Sequence, residues 1–242
     1  MGKEKNCCCG GSGERSSCMV CGRPLVYFGR TETRVCSICG KEKPADAACE
    51  AGHFVCDDCH SAGAEAAIAL LLNSKERDPV RLYLECCRLG SVHMHGPEHH
   101  CIIPCVLLTA YHNCGGELEL EECLHEAWRR GKKVSGGACG YLGACGAAVG
   151  AGIFVSIVTG ATPLAPQEWV LPQEMTRRCL GANVAVGGPR CCKRTGRLAI
   201  ETAAEFTLEH FGVELPVSRP ACEFTAMNRE CLKGRCPFYG GK

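Results

Sequence analysis

Apolar positions recur at helical spacing over most of the chain, and the pattern predicts a mainly α-helical protein with a short, turn-rich beginning. Lys193–Phe211 shows it most clearly: Leu198, Ala199, Ala203, Phe206 and His210 share a helical stripe, and Gly212 closes it. Leu118–Arg130 is amphipathic and ends in Arg129, Arg130 and Gly131, the cations and glycine that suit a helix C-terminus. Asp78–Leu89 opens on Asp78-Pro79, a cap followed by a first-turn proline. Gly96–His112 carries the apolar run Ile102–Leu108, with Pro97 at its start. Ser61–Ser74 is rich in helix formers, with Ser61 in the cap position, and a further helix is expected around Pro172–Ala182. Before residue 60 only Pro24–Phe28 and His53–Val55 read as strand-like. The expected organisation is a loose Gly/Ser-rich tail over 1–17 holding Cys7, Cys8 and Cys9, a zinc-binding module over 18–60, and an α-helical cysteine-rich domain over 61–242.

Val134–Gln167 has no charged residue, and Gly146–Leu164 is long enough to cross a bilayer. It is built from Gly and Ala, however, begins beside Cys139 and Cys145, and is closed by Pro163 and Pro166. It lacks an aromatic belt and a Leu/Ile/Phe-dense centre, so the expectation is a helix buried on all sides.

Charge and cysteine change the picture next. The 242 residues carry 27 basic and 26 acidic side chains, a net charge of +1, which argues against a nucleic-acid or acidic-membrane binder. Cysteine stands at 24 residues, a density usually seen in short secreted disulfide scaffolds. Yet MGKEKNCCCGGSGERSSC has no apolar signal region, and CxxC and adjacent Cys-Cys pairs dominate. In a reducing cytoplasm such thiols are metal ligands, cluster ligands or redox groups. So many oxidisable thiolates point to an anaerobic cell.

The strongest motif is Cys18-x2-Cys21, Cys36-x2-Cys39 and Cys49-x3-His53-x2-Cys56-x2-Cys59. Eight such ligands make two four-ligand tetrahedral sites of zinc type. Gly22 and Gly40 follow two of the pairs, where a tight knuckle tolerates unusual φ. Two pairings are open: a sequential one, as in a zinc ribbon, and an interleaved one resembling a RING-type cross-brace. The final CxxC of the RING pattern is missing, so ubiquitin-ligase activity is not implied. Iron in a rubredoxin-like site is the alternative to zinc. His60, just past Cys59, reads as a helix-start residue rather than a ninth ligand.

Four more constellations lie beyond residue 90. Gly136–Gly152 leads a glycine-rich turn carrying Cys139 into a helix with Cys145 near its N-terminus, where a thiol pKa falls. Its small residues either admit a cofactor or form a packing seam. Gly187–Arg194 carries Cys191 and Cys192 beside Arg190, Lys193 and Arg194, positive charge that suits thiolates or an anionic group. The terminal set is Cys222, Cys231 and Cys236-Pro237. Cys139, Cys145, Cys191, Cys192, Cys222, Cys231 and Cys236 together can hold one iron–sulfur cluster, with Cys145, Cys191, Cys192 and one or more of the terminal three converging on it. Thiol redox chemistry without a cluster, and buried inert thiols, are the alternatives. His93–Cys101 places His95, Glu98, His99 and His100 at a helix start, where they can bind metal or move protons, with His99 or His100 expected beside a cysteine sulfur or a metal. Of Cys86 and Cys87, one is expected in the core and the other facing a site.

The stretches GHFVCDDCH, HGPEHH, GACGYLGACGAAVGAGIF, GGPRCCKR and ECLKGRCPF together resemble a prokaryotic cysteine-rich domain family of unknown function, over Cys18–Phe238. Its members are sometimes labelled as, or found next to, SAM-dependent methyltransferases. This chain shows no SAM-binding glycine loop after a strand, so that activity is not carried over. Separately, Cys145–Ala151 is similar to the CGAxxGA segment of a redox family named for its Cys–Gly-Cys-Ala-x-x-Gly–Cys–Cys pattern, although the order of the GCA letters is not reproduced. That resemblance implies an all-α fold, a redox or metal role for Cys145, and a counterpart for Cys191 or Cys192. The sequence thus leads to a cytoplasmic metalloprotein with structural zinc and a cysteine-ligated iron–sulfur cluster, serving redox or sulfur/methyl chemistry with a protein partner, redox or methyltransferase. The alternative is a non-enzymatic zinc-binding adaptor.

Overall fold

The computed structural model describes residues 18–21, 23–62 and 65–241, so the expected tail with Cys7, Cys8 and Cys9 lies outside the described residues. The chain begins as an antiparallel hairpin of β1 (Leu25–Val35) and β2 (Glu42–Cys49). Leu25 pairs with Cys49 at the open end and Val35 with Glu42 at the turn, with a bulge between Tyr27 and Glu32. The second strand is EKPADAAC, poor in β-formers, and His53–Val55 is irregular rather than the expected strand. Pairing to β1 overrides the weak propensity, and Phe54 instead serves as the apolar plug of the hairpin, packed with Ala45, Ala48, Cys36 and Cys56.

Helices follow: α1 (Asp57–Ala62), α2 (Ala66–Asn73), α3 (Pro79–Cys87), α4 (Glu98–Asn113), α5 (Leu120–Gly131), α6 (Ala138–Tyr141), α7 (Gly146–Val158), α8 (Val170–Val186) and α9 (Cys192–Phe211). Asp78 caps α3 as expected, accepting from the Val80 and Arg81 N–H groups. Ser61 does not cap α2: it lies inside α1, a separate helix. The end of the chain is irregular, with 3-10 turns at Thr225–Met227 and Lys233–Arg235.

α4 is the axis. Every residue from Glu98 to Tyr111 is buried, and α2, α3, α5, α7 and α9 pack around it. A helix apolar on all sides belongs in this position. Two crossings approach its backbone closely. A Cβ on Gly131 of α5 would fall 2.8 Å from Cys101 Cα, and one on Gly150 of α7 would fall 3.1 Å from the His100 carbonyl oxygen. The small residues of α7 are therefore filled by helix packing: Gly146 faces the His100 ring and Gly152 faces Thr176 and Pro172 of α8. α7 has 13 residues, about 20 Å at 1.5 Å per residue, against a bilayer core of about 30 Å. No helix among the described residues is long and apolar enough to cross a membrane.

Candidate metal centres

The hairpin decides how the N-terminal ligands pair. Its open end brings Cys18 and Cys21, just before β1, beside Cys49, the last residue of β2, and His53, just after it. Its turn holds Cys36 and Cys39, and the chain returns along it so that Ser37 N–H donates to the Phe54 carbonyl and Cys56 N–H to Cys36 Sγ. Cys36, Cys39, Cys56 and Cys59 therefore form the second set. The pairing is the interleaved one, and the sequential alternative is set aside.

The separations suit single ions. Four sulfurs at about 2.3 Å from a common ion stand about 3.8 Å apart at tetrahedral corners. Cys21 Sγ lies 3.7 Å from Cys49 Sγ, and Cys39 Sγ lies 3.9 Å from Cys56 Sγ. His53 Nδ1 stands 3.2 Å from Cys21 Sγ and 3.5 Å from Cys49 Sγ. Backbone N–H groups already support thiolates. Desolvation works against the Cys36 thiolate, but the N–H groups of Cys39, Cys56 and Ile38 overcome it and hold the thiol at about 6. Cys59 goes the other way, pushed up to about 12 by desolvation and by the Cys39 and Cys56 sulfurs. Only a cation lets all four ionise together. Both sets can therefore hold a metal ion.

A third gathering lies where α9 begins and the C-terminal segment folds against it. Cys191 caps α9, and its sulfur accepts from Arg194 N–H at 3.4 Å and Asn228 Nδ2–H at 3.3 Å. Cys191, Cys222, Cys231 and Cys236 line one narrow cavity of about 20 Å³ with Lys193, Arg194 and Arg197, partly open to solvent. The four sulfurs are more widely spaced than the N-terminal sets, whose ligand atoms all lie within 4.8 Å of one another. Burial pushes the Cys191 thiol up, while the Arg194 N–H and guanidinium pull it down. Arg197 is 2% exposed, stacks 3.9 Å from the Phe238 ring centroid, and none of its three guanidinium nitrogens finds a hydrogen-bond partner. Burial lowers its pKa; Glu201, one turn on in α9, counters the fall most, and Cys222 and Cys236 add to it. Sequence reasoning named Cys191, Cys222, Cys231, Cys236 and Lys193 but missed Arg197 and Asn228. The Arg194-x2-Arg197 spacing on one face of α9 was the available signal.

The other expected residues lie elsewhere. Cys192 points away from Cys191: burial holds it at about 12, the Gly96 N–H and Arg190 counter the rise, and the Cys145 sulfur adds to it. Cys145 sits at the N-cap position of α7 without a side-chain capping bond, and Cys139 lies close enough to feel its charge. Neither Cys139, Cys145 nor Cys192 lines the four-cysteine cavity. Arg190 leaves the cavity too, bonding and stacking on Tyr27 of the hairpin. His99 is held by Tyr83 Oη at 3.0 Å, by the His93 carbonyl at 3.0 Å, and beside Lys193 Nζ at 3.1 Å. Burial and Lys193 keep it neutral, with a pKa of about 3. His100 Nδ1 donates to the Val134 carbonyl at 3.0 Å. Of the pair Cys86 and Cys87, both are buried, with Cys87 toward Tyr83 and Lys193. His60, far from a bland helix start, meets His93 and Glu98, and ligand atoms of the three lie within 4.8 Å of one another.

A helical protein with two four-ligand knuckle sets and a four-cysteine cavity is the class that fold and sites define. The chain belongs to DUF5714, a family of unknown function, which matches residues 67–239. The hairpin and both of its ligand sets precede the matched residues, so the similarity is narrower than Cys18–Phe238. No curated protein and no solved structure matches the chain.

Proposed function

We propose that this chain is a cytoplasmic redox metalloprotein in which Cys191, Cys222, Cys231 and Cys236 hold an iron–sulfur cluster and the two N-terminal sets hold structural zinc. The observation that carries the reading is Arg197, a buried guanidinium without a partner beside four cysteines. A buried charge of this kind is costly unless an opposite charge answers it. Glu201, shared with Arg219, answers it in part; a cluster with four thiolate ligands is anionic and would answer the rest, and its several irons require more widely spaced sulfurs than one ion does. Arg194 N–H and Asn228 Nδ2–H donate to Cys191 Sγ, the kind of contact that tunes a cluster potential. The cavity opens to solvent, which suits exchange of one electron with a protein partner that serves as donor or acceptor. The similarity of Cys145–Ala151 to a redox family is in keeping with this reading.

Anaerobic purification with iron and acid-labile sulfide analysis tests it. The expected result is a brown protein absorbing near ~400 nm through thiolate charge transfer. Cys191→Ser and Cys236→Ser should each lose most of the iron and sulfide, and Cys139→Ser should keep both. A colourless protein containing zinc alone would leave the adaptor reading. Val26, Val35 and Ile38, exposed on the hairpin, would then be its docking surface.

A further inference from the structure

We propose that His60, His93 and Glu98 form a separate site for one divalent transition-metal ion, where the hairpin segment meets the helical core. The site does not depend on the four-cysteine cavity. Glu98 opens α4 with its side chain fully buried. A buried carboxylate needs matching positive charge or donors on both oxygens. Oε1 is satisfied by the His93 N–H at 2.8 Å, with His93 Nδ1 at 3.3 Å. Oε2 is not. Its neighbour is His60 Nδ1 at 2.9 Å, but the pair is not aligned as a hydrogen bond, and both buried atoms are left without a partner. An imidazole nitrogen and a carboxylate oxygen thus flank one small space from two elements.

The separations fit ligands of one ion. Nitrogen and oxygen donors at about 2.1 Å from a metal stand about 3.0–3.4 Å apart, depending on octahedral or tetrahedral geometry. The backbone keeps the space clear: a Cβ on Gly96 would fall 2.0 Å from Glu98 Oε2 and 2.5 Å from His60 Cε1. Paired protonation of the histidines is a poor substitute. Their ring centroids are 4.5 Å apart, so two imidazolium charges would repel, whereas one divalent ion satisfies all three groups. Two imidazoles and one carboxylate favour zinc and its transition-metal neighbours over calcium or magnesium. Three protein ligands leave a coordination position for water or a small outside ligand, unlike the closed N-terminal sets.

Zinc counting on the full chain tests the proposal. The chain is saturated with zinc, freed of excess by gel filtration, and its zinc per chain is measured. His93 lies 34 residues from the last N-terminal ligand, Cys59, so His93→Ala probes this site without touching those sets. His93→Ala should lose one zinc equivalent, Cys39→Ser should lose another, and the double variant should lose both. Wild-type zinc in His93→Ala overturns the proposal, and so does a double variant that loses no more than Cys39→Ser. If His93→Ala loses its helical circular dichroism, His93→Gln decides by the same count, because its amide can still donate to Glu98 but is a poor zinc ligand.

Discussion

Arg197 carries, at the scale of one residue, the charge argument for the proposed cluster. Its guanidinium lies over Phe238, buried, with all three nitrogens unpartnered. With no anion in the cavity, only Glu201, itself shared with Arg219, offsets the burial of this charge. The sign of the residue's contribution to stability should therefore depend on what the cavity holds. Arg197→Met in the cluster-free protein is expected to raise unfolding stability by about 1 kcal/mol or more, read as a higher urea midpoint, since a hydrophobe replaces a buried charge without hydrogen-bond partners. In the protein purified anaerobically the same change should speed bleaching of the ~400 nm band in air. Loss of stability in both preparations would mean that Arg197 is simply packing. Lys193 is different in kind: its ammonium donates to the His93 carbonyl at 2.7 Å, so it braces the histidine loop while its stem lines the cavity.

Among the elements, α7 is the one whose sequence invites a ligand reading and whose packing supplies another. Gly146 lies against the His100 ring, where an added Cβ would come within 2.1 Å of Cδ2. The ring cannot yield without giving up its hydrogen bond to the Val134 carbonyl. Gly146→Ala is expected to cost about 1–3 kcal/mol by overpacking, read as a lowered urea midpoint with helical content unchanged at low denaturant. Gly140, which has nothing within 4 Å of an added Cβ, is the matched control. This is where the sequence stops being legible. Composition shows that α7 is small and apolar, but only the crossing angle decides whether a helix or a cofactor fills the groove. α3 and α9 were readable because their signals are local: Asp78-Pro79 at one start, Gly212 at one end. β2 was not, because EKPADAAC has no local strand signal and is held by β1.

For the whole molecule, hydrophobic burial is uneven between hairpin and helices. The hairpin cluster is five buried residues, two of them cysteine ligands, while the helical core is continuous from α2 to Phe224. Chelation should therefore unfold the hairpin selectively. Amide hydrogen exchange after dialysis against a strong chelator is expected to show lost protection over 25–49 and retained protection in α4 and α9. Uniform loss across both would make the core metal-dependent, and unchanged protection would make the ligands dispensable. The eight candidate ligands that the structure gathers into two sets could be named from spacing, but their pairing could not, since both arrangements use the same residues. The gathering of Cys222, Cys231 and Cys236 on Cys191 was likewise beyond local reading, because it depends on how an irregular tail folds back over α9. The interleaving of the two N-terminal sets has a topological consequence. With a metal in each, a single peptide-bond cut anywhere between Cys39 and Cys49 leaves Cys18, Cys21, Cys36 and Cys39 on one fragment and Cys49, His53, Cys56 and Cys59 on the other. Each ion then bridges the break, so the nicked chain stays stapled at two points, where sequential pairing would let the first fragment leave with its own ion.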